Sequence, residues 1–352
     1  MTRRLLAIAG CLCLAACDHT PAGSFAPPAR GPLSTGNPHR VTYNAGADLR
    51  PSWLPDGSGF LYTRQRLDRA DRDRCLGLLP ADGGSLRDEI CDNTPGTGDT
   101  STTFESAAVA ADGRMAYVRT SIPTNSPSAV PITHELRVGT IAAPPGVRVL
   151  SLPYPGSVGV HWEAEWLQWL SPTELIYLGE YVDYPIGCNG CDDPPRTGLE
   201  VVRLDPASGN RVFVAGTDSA TSVAAVNGDS IYYTRIGSGQ VLRRSLASAS
   251  TAVATDFGAA DVRDVSVRAG RLAAVTGPGF LWWVQLPSGT QTPLTAPGLV
   301  FFKRPALSPD GRRLVAEGYG FQIDTIRIPG DGIASIDTVT SRLGDLWVFD
   351  LP

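Results

Sequence analysis

A Pro-Asp-Gly turn followed by an apolar strand occurs near both ends of the 352-residue chain, and this repetition strongly limits the possible folds. Pro55–Thr63 reads PDGSGFLYT, and Ser308–Ala316 reads SPDGRRLVA. The Asp-Gly pair supplies the positive φ that a tight hairpin turn requires. Each stretch therefore predicts a β-hairpin.

Alignment on the turn extends the pattern to six copies of a strand–turn–strand unit. The turn positions of successive copies are separated by roughly 40 to 60 residues, a spacing typical of an array built from one supersecondary unit. The copies are Arg50–Thr63, Ser106–Arg119, Leu167–Glu180, Thr221–Thr234, Arg263–Thr276 and Arg304–Glu317.

Two further strands are predicted in each unit. Third strands such as Gly198–Gly209 (GLEVVRLDPASG) and Phe280–Gly289 (FLWWVQLPSG) each end in a Gly-containing turn before a fourth strand (NRVFVAG and TQTPLTA). A content of 38 Gly and 29 Pro suits many short strands joined by turns. Four antiparallel strands per unit, repeated six times, predict an all-β, six-bladed β-propeller of four-stranded antiparallel blades.

The two chain ends are expected to share the last blade. Gly344–Pro352 reads as a third strand, which leaves that blade short of its outer strand, and His39–Gly46 (HRVTYNAG) resembles the missing one. An N-terminal strand joining the C-terminal blade would close the ring and remove exposed edges.

The first and last copies carry a family resemblance. RPSWLPDGSGFLYTR and RPALSPDGRRLVAEG resemble the WD40-like repeat of TolB-type propellers, a periplasmic family whose blades carry P-x-W/F-S-P-D-G-x-x-L/I. The middle four copies are degenerate, and of these only the second and fourth copies in the array keep Asp-Gly or Asn-Gly. The resemblance implies a propeller over nearly the whole mature domain, 39–352, and informs fold more than activity.

The first residues read as a targeting segment. Arg3 and Arg4 precede the apolar stretch Leu5–Leu14, and Leu14–Cys17 (LAAC) resembles the lipobox of bacterial lipoproteins. The resemblance implies that 1–16 is a signal peptide and that Cys17 is acylated as the first mature residue. An ordinary cleaved signal with an incidental cysteine is the alternative.

Residues 17–38 are rich in Pro, Gly, Ser and Ala and predict a flexible tether after the lipidated cysteine. The expected location is the bacterial cell envelope. The protein would be lipid-anchored to the inner or outer membrane, with its domain in the periplasm or on the cell surface.

Four cysteines remain after the targeting segment, and they allow three pairings. Cys75 and Cys91 flank a predicted turn, so a hairpin would place their sulfurs on opposing strands, while Cys188 and Cys191 would close their own loop. Structural disulfides fit an exported protein. Redox or metal chemistry at the C-x-x-C is the alternative.

The sequence offers little sign of catalysis. It contains no G-x-S-x-G, H-E-x-x-H or phosphate-binding glycine loop, and we predict a non-enzyme with no cofactor and no metal. The acidic run in Leu67–Cys75 does not match a calcium loop, and Glu163 and Glu165 read as solvated surface. A net charge of −5 argues against nucleic-acid binding.

Repeat-equivalent positions should form a ring around the propeller channel. The position seven residues before the turn Gly is Arg50, Ser106, Leu167, Thr221, Arg263 and Arg304 in the six copies, and Lys303 lies beside the last. Arg50, Arg263, Lys303 and Arg304 therefore predict a cationic arc at the channel mouth that binds a carboxylate. Neutralisation by Asp48, Asp261 and Asp264 is the alternative.

These features predict a monomeric, membrane-tethered scaffold that binds an envelope protein or peptide. Two long loops, Ile122–Glu135 and Tyr181–Gly198, would contribute to binding or be surface elaboration. The competing hypothesis is a ligand sensor or enzyme whose channel holds a small molecule such as a sugar or oligopeptide. A third is a subunit with no ligand site of its own.

Overall fold

The computed structural model describes residues 36–43, 46–65, 74–91, 100–123, 133–152, 164–183, 196–226, 229–328, 332–340 and 343–352. Cys17, the predicted signal peptide, Cys188, Cys191 and most of the tether and of the two long loops lie outside these ranges. Within them, none of the elements is a helix with the length and apolar character needed to cross a bilayer.

All regular elements in the described ranges are strands, as predicted for an all-β chain. The strands are β1 (His39–Arg40), β2 (Asp48–Trp53), β3 (Gly59–Gln65), β4 (Arg74–Pro80), β5 (Asp88–Ile90), β6 (Thr100–Val109), β7 (Arg114–Pro123), β8 (Thr133–Thr140), β9 (Ala143–Ser151), β10 (Glu165–Ser171), β11 (Glu174–Asp183), β12 (Arg196–Leu204), β13 (Arg211–Phe213), β14 (Ala220–Val226), β15 (Ser230–Arg235), β16 (Gln240–Ser245), β17 (Thr251–Asp256), β18 (Val262–Arg268), β19 (Arg271–Thr276), β20 (Phe280–Gln285), β21 (Thr290–Leu294), β22 (Leu299–Leu307), β23 (Arg313–Ile328), β24 (Gly332–Thr340) and β25 (Asp345–Asp350).

Four-stranded antiparallel sheets are the building unit, as predicted, and they make the chain an all-β propeller. Three such sheets are separate: β10–β13, β14–β17 and β18–β21. A fourth sheet has the order β1-β25-β23-β22, with β24 added on β23.

The hydrogen bonds between the described strands do not form the six separate sheets that the sequence predicted. The described strands form five sheets, since β2 to β9 belong to one eight-stranded sheet. The merger depends on a single parallel pair, Arg74 of β4 with Thr103 of β6, whereas the remaining pairs in this sheet are antiparallel.

The first strands of the repeated units lie side by side around a common centre. We call β2, β6, β10, β14, β18 and β22 the inner strands; each neighbours the next in space, and β22 neighbours β2. Apolar clusters fill the space between consecutive units. One joins Ile176 and Leu178 of β11 to Val223 of β14 and Tyr233 of β15, all at 0% exposure.

Each inner strand shifts register against its hairpin partner. In four of them, two residues oppose one, and the first of the two has a positive φ: 53° at Arg50, 50° at Ser106, 59° at Trp166 and 49° at Arg304. Such β-bulges redirect the side chain of the extra residue. They decide what points into the centre of the ring.

The N-terminal strand joins the C-terminal sheet, as predicted. His39 and Arg40 pair with Val348 and Trp347 of β25 in antiparallel register. Val41 follows and is 4% exposed, in an apolar cluster that also contains residues of β2, β3, β4, β23 and β25. The same short segment therefore connects the two ends of the chain through both hydrogen bonds and packing.

Cys75 and Cys91 form a disulfide bond, with their Cα atoms 4.7 Å apart. Cys75 lies on β4, and Cys91 directly follows β5, which pairs antiparallel with β4. This is the hairpin arrangement that the sequence predicted for these two cysteines.

Candidate binding site in the central cavity

A cavity of about 460 Å³ occupies the centre of the ring. Its described lining comes from inner strands β2, β6, β10, β18 and β22 and from the turns that follow several of them. Pro55, Pro172 and Pro309, in or next to those turns, form its rim. The cavity therefore opens on the face of the propeller that carries the Pro-Asp-Gly turns.

The bulges place their residues in this cavity. Arg50, Ser106, Trp166 and Arg304 all line it. The alignment had matched Leu167 with Arg50, but Trp166 is the structural equivalent. The β10–β11 turn is shorter than the β2–β3 turn, because the pairing of Ser171 with Glu174 leaves only two residues between them. Alignment on the turn therefore shifted the match between the two inner strands by one residue.

Two tryptophans confirm the corrected register. Trp53 and Trp169 each lie three residues after a bulge residue. The Trp53 indole donates to the Ala306 carbonyl at 2.8 Å, and the Trp169 indole donates to the Ala108 carbonyl at 3.1 Å. Both bonds run to the preceding inner strand and hold the indole rings against the cavity wall.

A network of ion pairs crosses the ring at the inner end of the cavity. Glu165 accepts from Arg50 at 3.1 Å and from Arg304 at 2.6 Å, so it connects β10 with β2 and β22. Glu105 pairs with Arg50 and, at 2.8 Å, with Arg74. We call these five side chains the ion-pair floor.

The arginines and glutamates of the floor shift each other's pKa values. Burial alone would raise the pKa of Glu165, but Arg304 and Arg50 bring that pKa below its ordinary value. The pKa of Glu105 is likewise lowered, because Arg50 and Arg74 outweigh the effect of burial. For Arg50, burial lowers the pKa, but Glu105 and Glu165 together raise it above the ordinary value.

Carboxylates also satisfy the backbone at two bulges. The N–H of Arg50 donates to Glu317 at 2.7 Å, and the N–H of Arg304 donates to Asp264 at 2.8 Å. Tyr319 donates its hydroxyl to Glu317 at 2.6 Å. Burial raises the pKa of Asp264, opposed by Arg304. These bonds supply partners for N–H groups that the bulge removes from the ladder.

The predicted cationic arc is brought together only in part. Arg50 and Arg304 line the cavity, whereas Arg263 and Lys303 are absent from its described lining. Arg263 is 61% exposed in its side chain and pairs with Asp261 at 3.3 Å. The ammonium of Lys303 lies over the rings of Phe301 and Tyr319, at 5.5 and 5.2 Å from their centroids.

The neutralising residues differ from those expected. Asp261 pairs with Arg263 as anticipated, and Asp264 accepts from the backbone of Arg304. The main counter-charges are Glu105 and Glu165, which come from other units. The prediction of Glu165 as solvated surface was wrong, because its carboxylate is enclosed by two arginines at the ring centre.

Sequence reasoning missed Arg268, at the end of β18. It lines the cavity and its Nη1 donates to the carbonyl oxygens of Ala225 and Val267. Burial lowers the pKa of Arg268. The residue escaped notice because it lies five positions after Arg263, outside the ring position that the alignment identified.

In the described ranges, one group of side chains has metal-ligand proximity: Cys75, Glu89 and Cys91. The two cysteines are joined in the disulfide and offer no thiolates, and Glu89 pairs with Arg64. The chemistry of this donor set therefore does not suit a metal ion.

No protein-family model matches the chain, and no curated protein matches it in sequence. Solved structures match its fold. The crystal structure of RRP9 WD40 repeats aligns with a TM-score of 0.50 and 11% identity over 91% of this chain and 99% of that one. The structure of U3-55K aligns with a TM-score of 0.50 and 12% identity over 91% and 100%. At such identity the likeness concerns the WD40-like propeller fold alone.

Proposed function

We propose that this chain is a non-enzymatic scaffold that binds a protein or peptide at the central cavity. The observation that carries the proposal is a preformed cavity whose lining combines proline and tryptophan rings with serine and arginine side chains, beside the ion-pair floor. Binding sites are typically concave and mostly apolar, with a few placed polar groups. Propellers of the WD40 type supply the same kind of central surface on a rigid frame.

The ion-pair floor is less suited to a small-molecule enzyme or sensor than to a binding scaffold. General acid–base catalysis requires a carboxylate that exchanges protons near the working pH. The carboxylates of Glu105 and Glu165 are instead held by arginines that lower their pKa. This arrangement favours a structural role for the two glutamates.

Site-specific photocrosslinking tests the scaffold proposal. A benzophenone amino acid would be placed at Pro55, Pro172 or Pro309 on the rim, and at Val253 on outer strand β17 as a control that is 52% exposed. We expect the three rim positions to capture the same partner in cells and the control position not to. Ala111→Trp, which narrows the cavity mouth, should abolish the capture. Capture that is equal from Val253, or unchanged by Ala111→Trp, would refute binding at the cavity.

We also infer a six-bladed ring of the TolB type. The eight-stranded sheet is then two blades, β2–β5 and β6–β9, that share one parallel pair. Support comes from the closed succession of inner strands and from the Pro-Asp-Gly motifs in the first and last copies. Each inner strand then starts one blade.

A lipid anchor at Cys17 is the remaining part of the proposal, and it follows from the lipobox-like LAAC sequence. The domain would lie in the bacterial envelope as a monomer on its tether. We expect the wild-type protein to sediment with membranes, to lack residues 1–16 and to carry acyl groups on Cys17, and Cys17→Ser to carry no acyl mass. Membrane fractionation and intact mass measure this. A wild-type mass without acyl groups would refute the anchor.

A further inference from the structure

The three arginines of the cavity differ in their counter-charges. Arg50 and Arg304 are held by glutamates of the ion-pair floor. Arg268 has only carbonyl oxygens, those of Ala225 and Val267, as its hydrogen-bond partners, and no carboxylate in the described part of the chain pairs with it. Arg268 is therefore the cation in this cavity that lacks an anion.

The surroundings of Arg268 strengthen the asymmetry. The described lining of the cavity contains these three arginines and no acidic residue. Trp53, Trp166 and Trp169 supply aromatic surface, and prolines surround them. A half-buried cation beside apolar rings gains more from an anionic partner than a solvated one does. Burial lowers the pKa of Arg268, as expected for a guanidinium without such a partner.

We propose that the cavity binds the C-terminal carboxylate of a partner polypeptide, with Arg268 as its anchor and the tryptophan and proline walls contacting the last apolar side chains. This inference depends on the proposed scaffold function and names the chemical class of its ligand.

The shape of the cavity favours a chain end over an internal segment. Glu165 bridges Arg50 and Arg304 across the ring, so the ion-pair floor obstructs passage through the centre. A volume of about 460 Å³ suits a few residues entering from one side.

The charge also fits a carboxylate. One unpaired guanidinium matches one carboxylate in charge and offers it a planar bidentate donor. A phosphate group carries about −1.5 to −2 charges at neutral pH. It would leave excess negative charge against the apolar walls.

A peptide library with two forms of its C-terminus tests the proposal. Immobilised wild-type protein would select from random pentapeptides synthesised either as free acids or as C-terminal amides, and mass spectrometry would identify the bound species. We expect enrichment from the free acids alone, with apolar residues at the last positions. Equal enrichment from the amides, or none from either form, would overturn the proposal. This comparison does not depend on any variant folding.

Substitution of the anchor provides the second test. Arg268→Gln keeps an N–H donor for the backbone but removes the charge, and we expect it to weaken binding of the selected peptides by about 10- to 100-fold. The peptide affinity of Arg268→Lys should fall between those of the wild type and Arg268→Gln, because lysine keeps the positive charge but lacks the planar, bidentate guanidinium. Arg263→Gln, outside the described lining, is the matched control and should bind as the wild type does.

The two proposals fail separately. Rim crosslinks to a partner, together with equal binding of acids and amides, would leave the scaffold function intact and refute the carboxylate anchor. Equal peptide affinity of Arg268→Gln and wild type, with matching thermal melts, would also refute the anchor. Absence of rim-specific crosslinks would refute the scaffold function itself.

Discussion

A chain that begins at residue 44 is expected to lose about 5 kcal/mol of unfolding free energy relative to one that begins at residue 36. The deletion removes the pairing of His39 and Arg40 with β25 and exposes the edge of that strand. It removes the bond from the Val41 N–H to the Leu346 carbonyl, at 2.9 Å. It also removes the bond from the Leu346 N–H to the Thr42 hydroxyl, at 2.8 Å. Each such bond contributes about 1 kcal/mol, and burial of the Val41 side chain contributes about 2 kcal/mol.

Urea unfolding followed by tryptophan fluorescence measures the difference, with the 36-start chain as the control because it keeps the whole β1 segment. The m-value should also fall, since a ring without its closing strand exposes less new surface on unfolding. A loss below about 1 kcal/mol would mean that the chain ends are not coupled through β25.

Glu165→Gln is expected to lower the unfolding free energy by about 3 kcal/mol, because it leaves Arg50 and Arg304 without a shared counter-charge. Glutamine has nearly the same shape, so the change reports charge more than packing. Glu174→Gln is the matched control. Its pair with Arg203 lies nearer the surface, and its loss should cost less than about 1 kcal/mol.

The pH dependence of the Glu165→Gln effect gives an independent check. Arg304 and Arg50 lower the pKa of Glu165 in the folded state. The stability it contributes is therefore fully present above the unfolded pKa of about 4.3 and is lost as the pH falls through the lower folded pKa. The difference between wild type and Glu165→Gln should thus be constant from pH 6 to 8 and shrink below about pH 4. A difference that is equal at all pH values would exclude an electrostatic origin.

The repeat motif carried most of the fold prediction. Turn chemistry and strand alternation are local properties, so Asp56-Gly57 and Asp310-Gly311 indicate hairpins without any knowledge of the rest of the chain. The closing strand was also predictable, because a sheet that lacks its outer strand needs one from elsewhere. The merging of two units at Arg74 and Thr103 was not, since one backbone pair leaves no pattern in the side chains.

The site was predicted less well than the fold. The alignment found Arg50 and Arg304 because a bulge recurs at the same repeat position. It could not find their partners, because Glu105 and Glu165 belong to other units and meet the arginines only in the assembled ring. It also placed Leu167 where Trp166 stands, since turn length varies between copies and the bulge does not follow it.

Lys303 has a practical consequence. It is the only lysine in the sequence, and its exposed ammonium lies over Phe301 and Tyr319, away from the residues that line the cavity. In a chain whose α-amino group is blocked, amine coupling at this side chain would attach each molecule to a sensor chip through one defined point. The immobilised population would share one orientation, with the rim of prolines still facing the solution.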